Sequence, residues 1–354
     1  MRPAFEILAD DKRITDLIRD RFISLTLTDE EGFESDTFEV TLDNRDLQVQ
    51  PPKTGAELGV SLGYIETGVR PMGLFVVDEY ERSGLPHQIL IRARSAWGGN
   101  GKTKSATVSG IEAALKAQRT RSWDGQTLGT IVSDVAADCG LDPRIDPDLA
   151  GEVIAHVDQT NEGNAHFLRR LARERDAVFK PAGGKLIFAK RAKGKTISGV
   201  DVPKVYLDTG LRKRTGAGPL AVLSGDEGSY RITVAEREDY QSVVAFYHDV
   251  SAAERKKIVA GEGEPQKELR GNYPTPEEAA QAAAAELRRI GRGESQPTFN
   301  CEGNPILAAE GTLVIGDELG TDLEGEWLIN RAVHTLDDSG YRTSLECEIS
   351  EEIK

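Results

Sequence analysis

With 354 residues, 38% of them hydrophobic and 29% charged, the chain is too long for one ordinary core and too apolar for a disordered segment, which predicts two or three domains. No apolar run approaches the ~20 residues needed to span a bilayer, and Met1–Asp11 lacks the apolar stretch of a signal peptide, so membrane insertion and export are not expected. The net charge of −15 is unevenly spread: residues 161–195 carry ten Lys/Arg against three Asp/Glu, residues 296–354 three against thirteen, and residues 1–60 seven against fourteen.

The first unit, residues 1–98, reads as an antiparallel β-barrel. Phe22–Asp29 and Asp36–Asp43 alternate apolar and polar residues at period two, as half-buried strands do. Gly55–Gly63 reads as a short strand, and Gly73–Ala93 as a long strand, a Ser-Gly turn and a return strand, with Pro51-Pro52 supplying a turn. The pattern then changes over residues 99–193, which read as a small α/β insertion. Apolar residues at 128, 131, 132, 135 and 139 form one helical face ended by Gly140. Asn161 is the expected N-cap of a second helix packed through Phe167, Leu168 and Leu171, with Arg169, Arg170, Arg173 and Arg175 on its opposite, exposed face. Ala177–Phe188 reads as a hairpin, and Gly194 starts a linker.

Residues 194–354 read as a second β-barrel. Ser229–Ala235 and Ser242–Asp249 are strands. A helix is expected over about 275–291, with Thr275 as cap, Pro276 at N1 and Glu278 completing a capping box. Its predicted stripe is Ala280, Ala284, Leu287 and Ile290, and Gly291 ends it. Glu310–Gly316 and Gly325–Cys347 then repeat the order of parts seen at Gly55–Gly63 and Gly73–Ala93. Two copies of one β unit suggest a device built for symmetry.

Little points to chemistry. Cys139, Cys301 and Cys347 are odd in number and far apart, as buried reduced thiols would be. The five histidines form no pair at metal-ligand spacing, and His156 and His166 read as packing or capping residues. Ala96-Trp-Gly-Gly-Asn-Gly-Lys102-Thr103 matches a relaxed phosphate-binding loop, with Asp78 as its possible magnesium partner. Its preceding strand alternates Arg92 and Arg94 with apolar residues, whereas a phosphate-loop strand is apolar throughout. The segment Lys102–Gly110 also reads as loop where a helix is required.

Four stretches carry a family resemblance: Ser122-Trp-Asp-Gly-Gln-Thr-Leu-Gly-Thr-Ile131; Asp158–Glu162 with Phe167–Arg173 and Gly184–Phe188; Tyr230–Ile232 with Tyr240–Asp249; and Gly303–Glu310 with Gly325–His334 and Ser339–Glu346. With the order of elements, they resemble the late control protein D family of contractile-tailed phages, the baseplate hub proteins. Relatives occur in phage-tail-like bacteriocins and in the N-terminal part of type VI secretion spike proteins. Tyr247 stands where the family often has Trp.

The resemblance implies a mainly β fold with two tube-like barrels and the α/β insertion. It implies a homotrimeric ring, in which six similar units let a threefold spike meet a sixfold tail tube. The implied partners are the tail tube protein, the spike protein, and the tape measure and other baseplate proteins. DNA would pass through an acidic lumen without specific binding. No catalytic residue, cofactor or metal is implied, and a fused needle or lysozyme-like segment is not expected. The implied location is the virion tail baseplate, assembled in the bacterial host cytoplasm. Two rival readings stand beside it: a generic β-rich binding module, and a nucleotide-binding enzyme using Lys102 and Thr103.

Overall fold

The computed structural model describes residues 1–32, 36–95, 105–182, 184–191, 204–208, 219–223, 229–234, 240–249, 254–293, 295–320 and 323–349. Strands hold 55% of the described residues and helices 20%, so the fold is mainly β. The residues gather into two units. The first comprises Met1–Ser109, Gly194–Ile232 and Pro297–Cys347, and the second Gly110–Lys193, Thr233–Gln296 and Glu348–Lys354. This grouping differs from the linear expectation of 1–98, 99–193 and 194–354, because residues 233–296 gather with 110–193.

The first unit begins with β1 (Pro3–Ala9), β2 (Lys12–Arg13), α1 (Thr15–Ile18), β3 (Phe22–Glu30), β4 (Thr37–Asp43), β5 (Glu57–Tyr64), β6 (Gly68–Ser83) and β7 (Gln88–Ser95). These strands pair antiparallel in the order β3-β4-β7-β6-β5-β1-β2. The alternation seen in the sequence is the reason. β4 buries Phe38, Val40 and Leu42, β5 buries Leu58, Val60 and Leu62, and β7 buries Ile89, Ile91 and Ala93, each large side chain contributing about 1.5–3 kcal/mol. Phe38 and Phe75 lie with ring centroids 5.5 Å apart at the centre.

The second unit takes up the chain at Gly110 within α2 (Ser105–Lys116) and continues with β8 (Gln118–Thr127), α3 (Leu128–Asp138), β9 (Asp142–Ile145), α4 (Pro147–Ala150), β10 (Val153–Gly163), α5 (Asn164–Arg173), β11 (Ala177–Ala182) and β12 (Lys185–Lys190). α3 follows the predicted pattern. Thr127 caps it by accepting a hydrogen bond from the Thr130 amide, and Leu128, Ile131, Val132 and Val135 are buried. Gly140, at φ 67°, takes the left-handed conformation that ends such a helix.

Two expectations fail in this stretch. Ser105–Lys116 is helical where a loop was expected through Gly110. Asn161 is no N-cap: it sits at φ 50° in a bulge of β10, where pairing with β8 shifts register between Gln159 and Glu162. α5 starts three residues later, with Gly163 as N-cap. The Asn164 side chain fixes that start over a long range, donating to the Ala114 carbonyl at 3.0 Å and accepting from Gln159 at 3.0 Å.

The chain continues through β13 (Val205–Asp208), β14 (Leu220–Val222), β15 (Ser229–Val234), β16 (Ser242–Asp249), β17 (Glu254–Gly261), β18 (Gln266–Glu268), α6 (Pro276–Gly293), β19 (Ser295–Glu302), β20 (Thr312–Ile315), β21 (Gly325–Asp337) and β22 (Gly340–Ile349). Thr275 caps α6 through the Glu278 amide at 3.2 Å. The reciprocal half of the capping box does not form, because the Glu278 carboxylate accepts from the Ala155 amide instead. α6 extends past Gly291 to Gly293. Its buried face against β16 is Ala279, Ala283 and Ile290, not Ala280 and Ala284. Ala282, Ala285 and Glu286 are buried too, because the helix is covered on two sides. No helix among the described residues is long and apolar enough to cross a membrane.

Candidate assembly surface

The first unit contains the same strand pairing twice. At the front the order is β4-β7-β6-β5, and at the back β19-β22-β21-β20. Inward residues correspond as well. Val40 and Leu42 in β4 match Phe299 and Cys301 in β19, and Ile89 and Ile91 in β7 match Thr343 and Leu345 in β22, all buried. The copies differ at their margins. β5 takes β1 antiparallel, whereas β20 takes β13 in parallel. The two copies meet where β3 pairs antiparallel with β21, from Leu25 opposite Leu336 to Glu30 opposite Arg331.

Across this continuous sheet the outward positions are charged and paired. Arg92 bonds Glu39 at 3.1 Å and Glu79 at 2.6 Å, with Glu81 at 3.6 Å. Arg94 pairs with Asp78. At the junction Arg331 reaches Glu30 at 2.8 Å and Glu346 at 3.1 Å. These groups are partly exposed, so each pair contributes little stability; their effect is on the potential of the face.

Beneath the junction lies a buried polar joint. His334 is fully buried. Its Nε2–H donates to the Leu307 carbonyl at 3.1 Å, which leaves the one lone pair of Nδ1 facing the Tyr341 hydroxyl at 3.0 Å and the Thr343 hydroxyl at 3.1 Å. The Asn304 amide donates to Thr343 in turn. Tyr64, from the front copy, donates its hydroxyl to the Gly303 carbonyl at 2.7 Å and packs its ring 5.6 Å from that of Tyr341. Sequence reading missed this joint; its one signal was a histidine at an inward position of an alternating strand, between Ala332 and Leu336.

Burial holds His334 down at about 4, below the ordinary 6.5. The unfolded chain therefore takes up this proton first as pH falls. The contribution is complete above pH 6.5 and is lost between 6.5 and 4, about 3 kcal/mol in all. His156 works the other way. Its bonds to Asp124 and then to Asp158 raise its pKa, so it favours the folded state as pH falls. A His156→Asn variant removes that opposing histidine; urea unfolding of it at pH 7 and pH 5 is expected to show a loss of about 2 kcal/mol from His334, which a further His334→Gln change should abolish.

In the second unit part of the basic stretch turns inward. The Arg175 side chain is only 3% exposed and bonds Glu152 at 2.9 Å and Glu174 at 3.3 Å. Arg173 faces Glu286 of α6 at 3.4 Å, and Glu286 also binds Lys267 and Arg289. Burial pushes the Glu286 carboxyl up, but these cations outweigh it and leave it at about 2. Of the arginines expected on an exposed face, Arg175 is therefore buried and Arg170 half-buried, while Arg169 and Arg173 remain exposed, Arg173 reaching α6. His166 and Arg170 both bind Glu162, so its carboxylate is held ionised rather than poised to move a proton.

Cys139, Cys301 and Cys347 are buried free thiols; burial raises Cys139 to about 11 and Cys301 to about 12. Lys102 and Thr103 lie outside the described residues. The strand that leads to them, β7, runs antiparallel to both its neighbours β4 and β6, whereas a phosphate loop follows a parallel strand. The helix at Ser105 removes one of the objections to that reading; the antiparallel strand keeps the stronger one.

Comparison with known proteins gives a consistent answer. The family model described as phage tail baseplate hub (GPD) matches residues 31–340. A probable baseplate hub protein of Escherichia phage P2 is 30% identical over 380 residues, covering 99% of this chain and 94% of its own. Among solved structures, the tail protein from Neisseria meningitidis MC58 superposes with a TM-score of 0.68 at 11% identity, covering 99% of this chain and 97% of that one. An E. coli component of the type VI secretion system, described as structurally similar to T4 bacteriophage tail proteins, gives 0.52 at 10% identity over 94% of this chain and 74% of that one. These two structures share the fold.

Proposed function

We propose that this chain, which belongs to the phage tail baseplate hub family, forms a homotrimeric ring that adapts the sixfold tail tube to the threefold spike. The observation that carries this reading is the doubled pairing order, β4-β7-β6-β5 and β19-β22-β21-β20, within one sheet. Two similar units per chain become six in a trimer, which offers one face with sixfold character to the tube and keeps threefold symmetry for the spike. The likeness in fold to a type VI secretion component supports a partner of the spike kind.

The ring would sit in the virion baseplate after assembly in the host cytoplasm, beside the tape measure and other baseplate proteins. DNA would slide through its lumen, because fixed carboxylates repel phosphate. The role is structural, as befits a hub family.

Co-purification tests the adaptor role. Tagged full-length chain, expressed with the tube and spike proteins of the same locus, is expected to retain both at 0.15 M salt. Retention of neither would contradict the reading. Duplex DNA offered to the trimer at the same salt is expected to stay unbound; tight binding, or a lumen mapped as strongly basic, would contradict the acidic channel.

A further inference from the structure

The internal junction between the two copies has an unmade counterpart. β3 pairs on one side with β4 and on the other with residues 331–336 of β21, just beyond the stretch of β21 that pairs with β20. In the other copy β15 stands in the place of β3, pairing with β19 as β3 pairs with β4. β6 stands in the place of β21, pairing with β5 up to Val76. Among the described residues β15 has no second strand neighbour, and residues 78–83 of β6 pair only with β7. Among the described residues, one chain therefore makes this junction once and carries both of its halves a second time without joining them.

We propose that β15 of one copy pairs antiparallel with Asp78–Ser83 of β6 in the next copy, reproducing the β3–β21 junction between chains. This rests on the ring reading above and names the seam that closes it. Each copy would offer β15 at one side and β6 at the other, a head-to-tail contact that closes as a ring.

The register follows from the internal pair. Thr41, between buried Val40 and Leu42, stands opposite Ser24. Asn300, between buried Phe299 and Cys301, reaches the Ser229 hydroxyl at 2.9 Å. Ser229 thus takes the place of Ser24, and Tyr230 and Ile232 take those of Leu25 and Leu27. In β6, Phe75 and Val77 are buried as Trp327 and Ile329 are in β21. The two unburied residues that follow each pair, Asp78-Glu79 and Asn330-Arg331, bring Tyr80 and Arg82 to the places of Ala332 and His334. Leu27 opposes His334 and Thr26 opposes Thr335, so Ile232 would face Arg82, and Arg231 would face Ser83.

The surface agrees. Tyr80 and Tyr230 are 43% and 47% exposed, large apolar side chains on the two open edges. Leu25 and Leu336 at the internal junction are 1% and 5% exposed. The open edges thus hold side chains of the kind that the made junction buries, and unpaired edges of this sort are templates for another strand. On the outward face one edge carries Arg231 and the other Glu79 and Glu81, as Arg331 meets Glu30 at the internal seam.

Cysteine cross-linking of the full chain tests the seam. Arg231→Cys and Ser83→Cys would stand directly opposite, with Cβ atoms about 4.5–5.5 Å apart. The native thiols are buried. The double variant, assembled with its spike partner and oxidised or treated with a short bis-maleimide, is expected to run as a covalent trimer on a denaturing gel, and each single variant as a monomer. A second variant pair, Tyr80→Lys and Tyr230→Asp, each at an exposed position, is expected to shift the solution mass from trimer to monomer. A trimer that gives no cross-link and survives both substitutions would overturn this seam and leave the ring intact. Dimers from a single variant would also overturn it, since they need a symmetric contact. A wild-type chain that stays monomeric even with its partners would overturn ring and seam together.

Discussion

Replacing Arg175 by methionine is expected to destabilise the second unit by about 3 kcal/mol, the cost of breaking a buried ion pair from one side. The Arg175 side chain is 3% exposed, and besides Glu152 and Glu174 it donates to the Leu171 carbonyl at 3.2 Å. Methionine keeps much of the volume and removes the charge. Burial then dominates at Glu174, whose carboxyl it already raises above the ordinary range despite Arg175. The loss should therefore shrink in acid, where that carboxyl is protonated. Adding Glu174→Gln to Arg175→Met should recover part of the stability, because it removes a buried charge left with only Arg170, 4.0 Å away, beside it. Urea unfolding of the three variants at pH 7 measures this; additive losses would show that the two groups act apart.

Gly303→Ala is expected to cost about 3 kcal/mol, at the upper end for overpacking, and to loosen the joint between the two β copies. A Cβ at Gly303 would stand 2.1 Å from Cγ of Tyr341. That ring cannot swing away, for it is buried and its hydroxyl is bound to His334. The backbone cannot retreat either. The Gly303 amide donates to the Tyr341 carbonyl at 2.8 Å, and its carbonyl accepts from Tyr64. A Tyr341→Ala change opens the space the methyl needs, so the double variant should be more stable than the sum of the two losses predicts. Thermal unfolding of the set checks this, and a wild-type melting curve for Gly303→Ala would contradict the packing described.

The parts of the fold that were legible in the sequence are those decided by local pattern. β4, β16 and β22 alternate at period two, and α3 carries both its stripe and its caps within Thr127–Gly140. The doubled meander was visible because its glycines and turn residues recur in order, although the spacings differ. What the sequence hid was decided at long range. Asn161 has the chemistry of an N-cap, but the strand pairing of β10 with β8 runs through it, and the buried Asn164 side chain sets the start of α5 instead. α6 showed a single stripe because each alanine looks alike in sequence; the fold covers the helix on two sides, and Glu286 is buried by cations from elsewhere in the unit. The arginines that follow Phe167 read as a solvated face because their carboxylates lie on other elements, Glu162 and Glu152 for Arg170 and Arg175, and Glu286, more than a hundred residues away, for Arg173. His334 gave the least warning, because a buried imidazole is identified by its three hydrogen-bond partners, and none of them could be named before the strands were paired.

The family and its general role were legible in motifs spread along the chain. The seam between copies was not, since it depends on comparing which strand edges the fold uses and which it leaves open.

The central claim is a ring of three copies. Light scattering of the full chain, alone and with the spike protein of the same locus, tests it most directly. The account predicts a species of three chains in at least one of the two samples, whereas a monomer in both, unchanged by the partner, would contradict it.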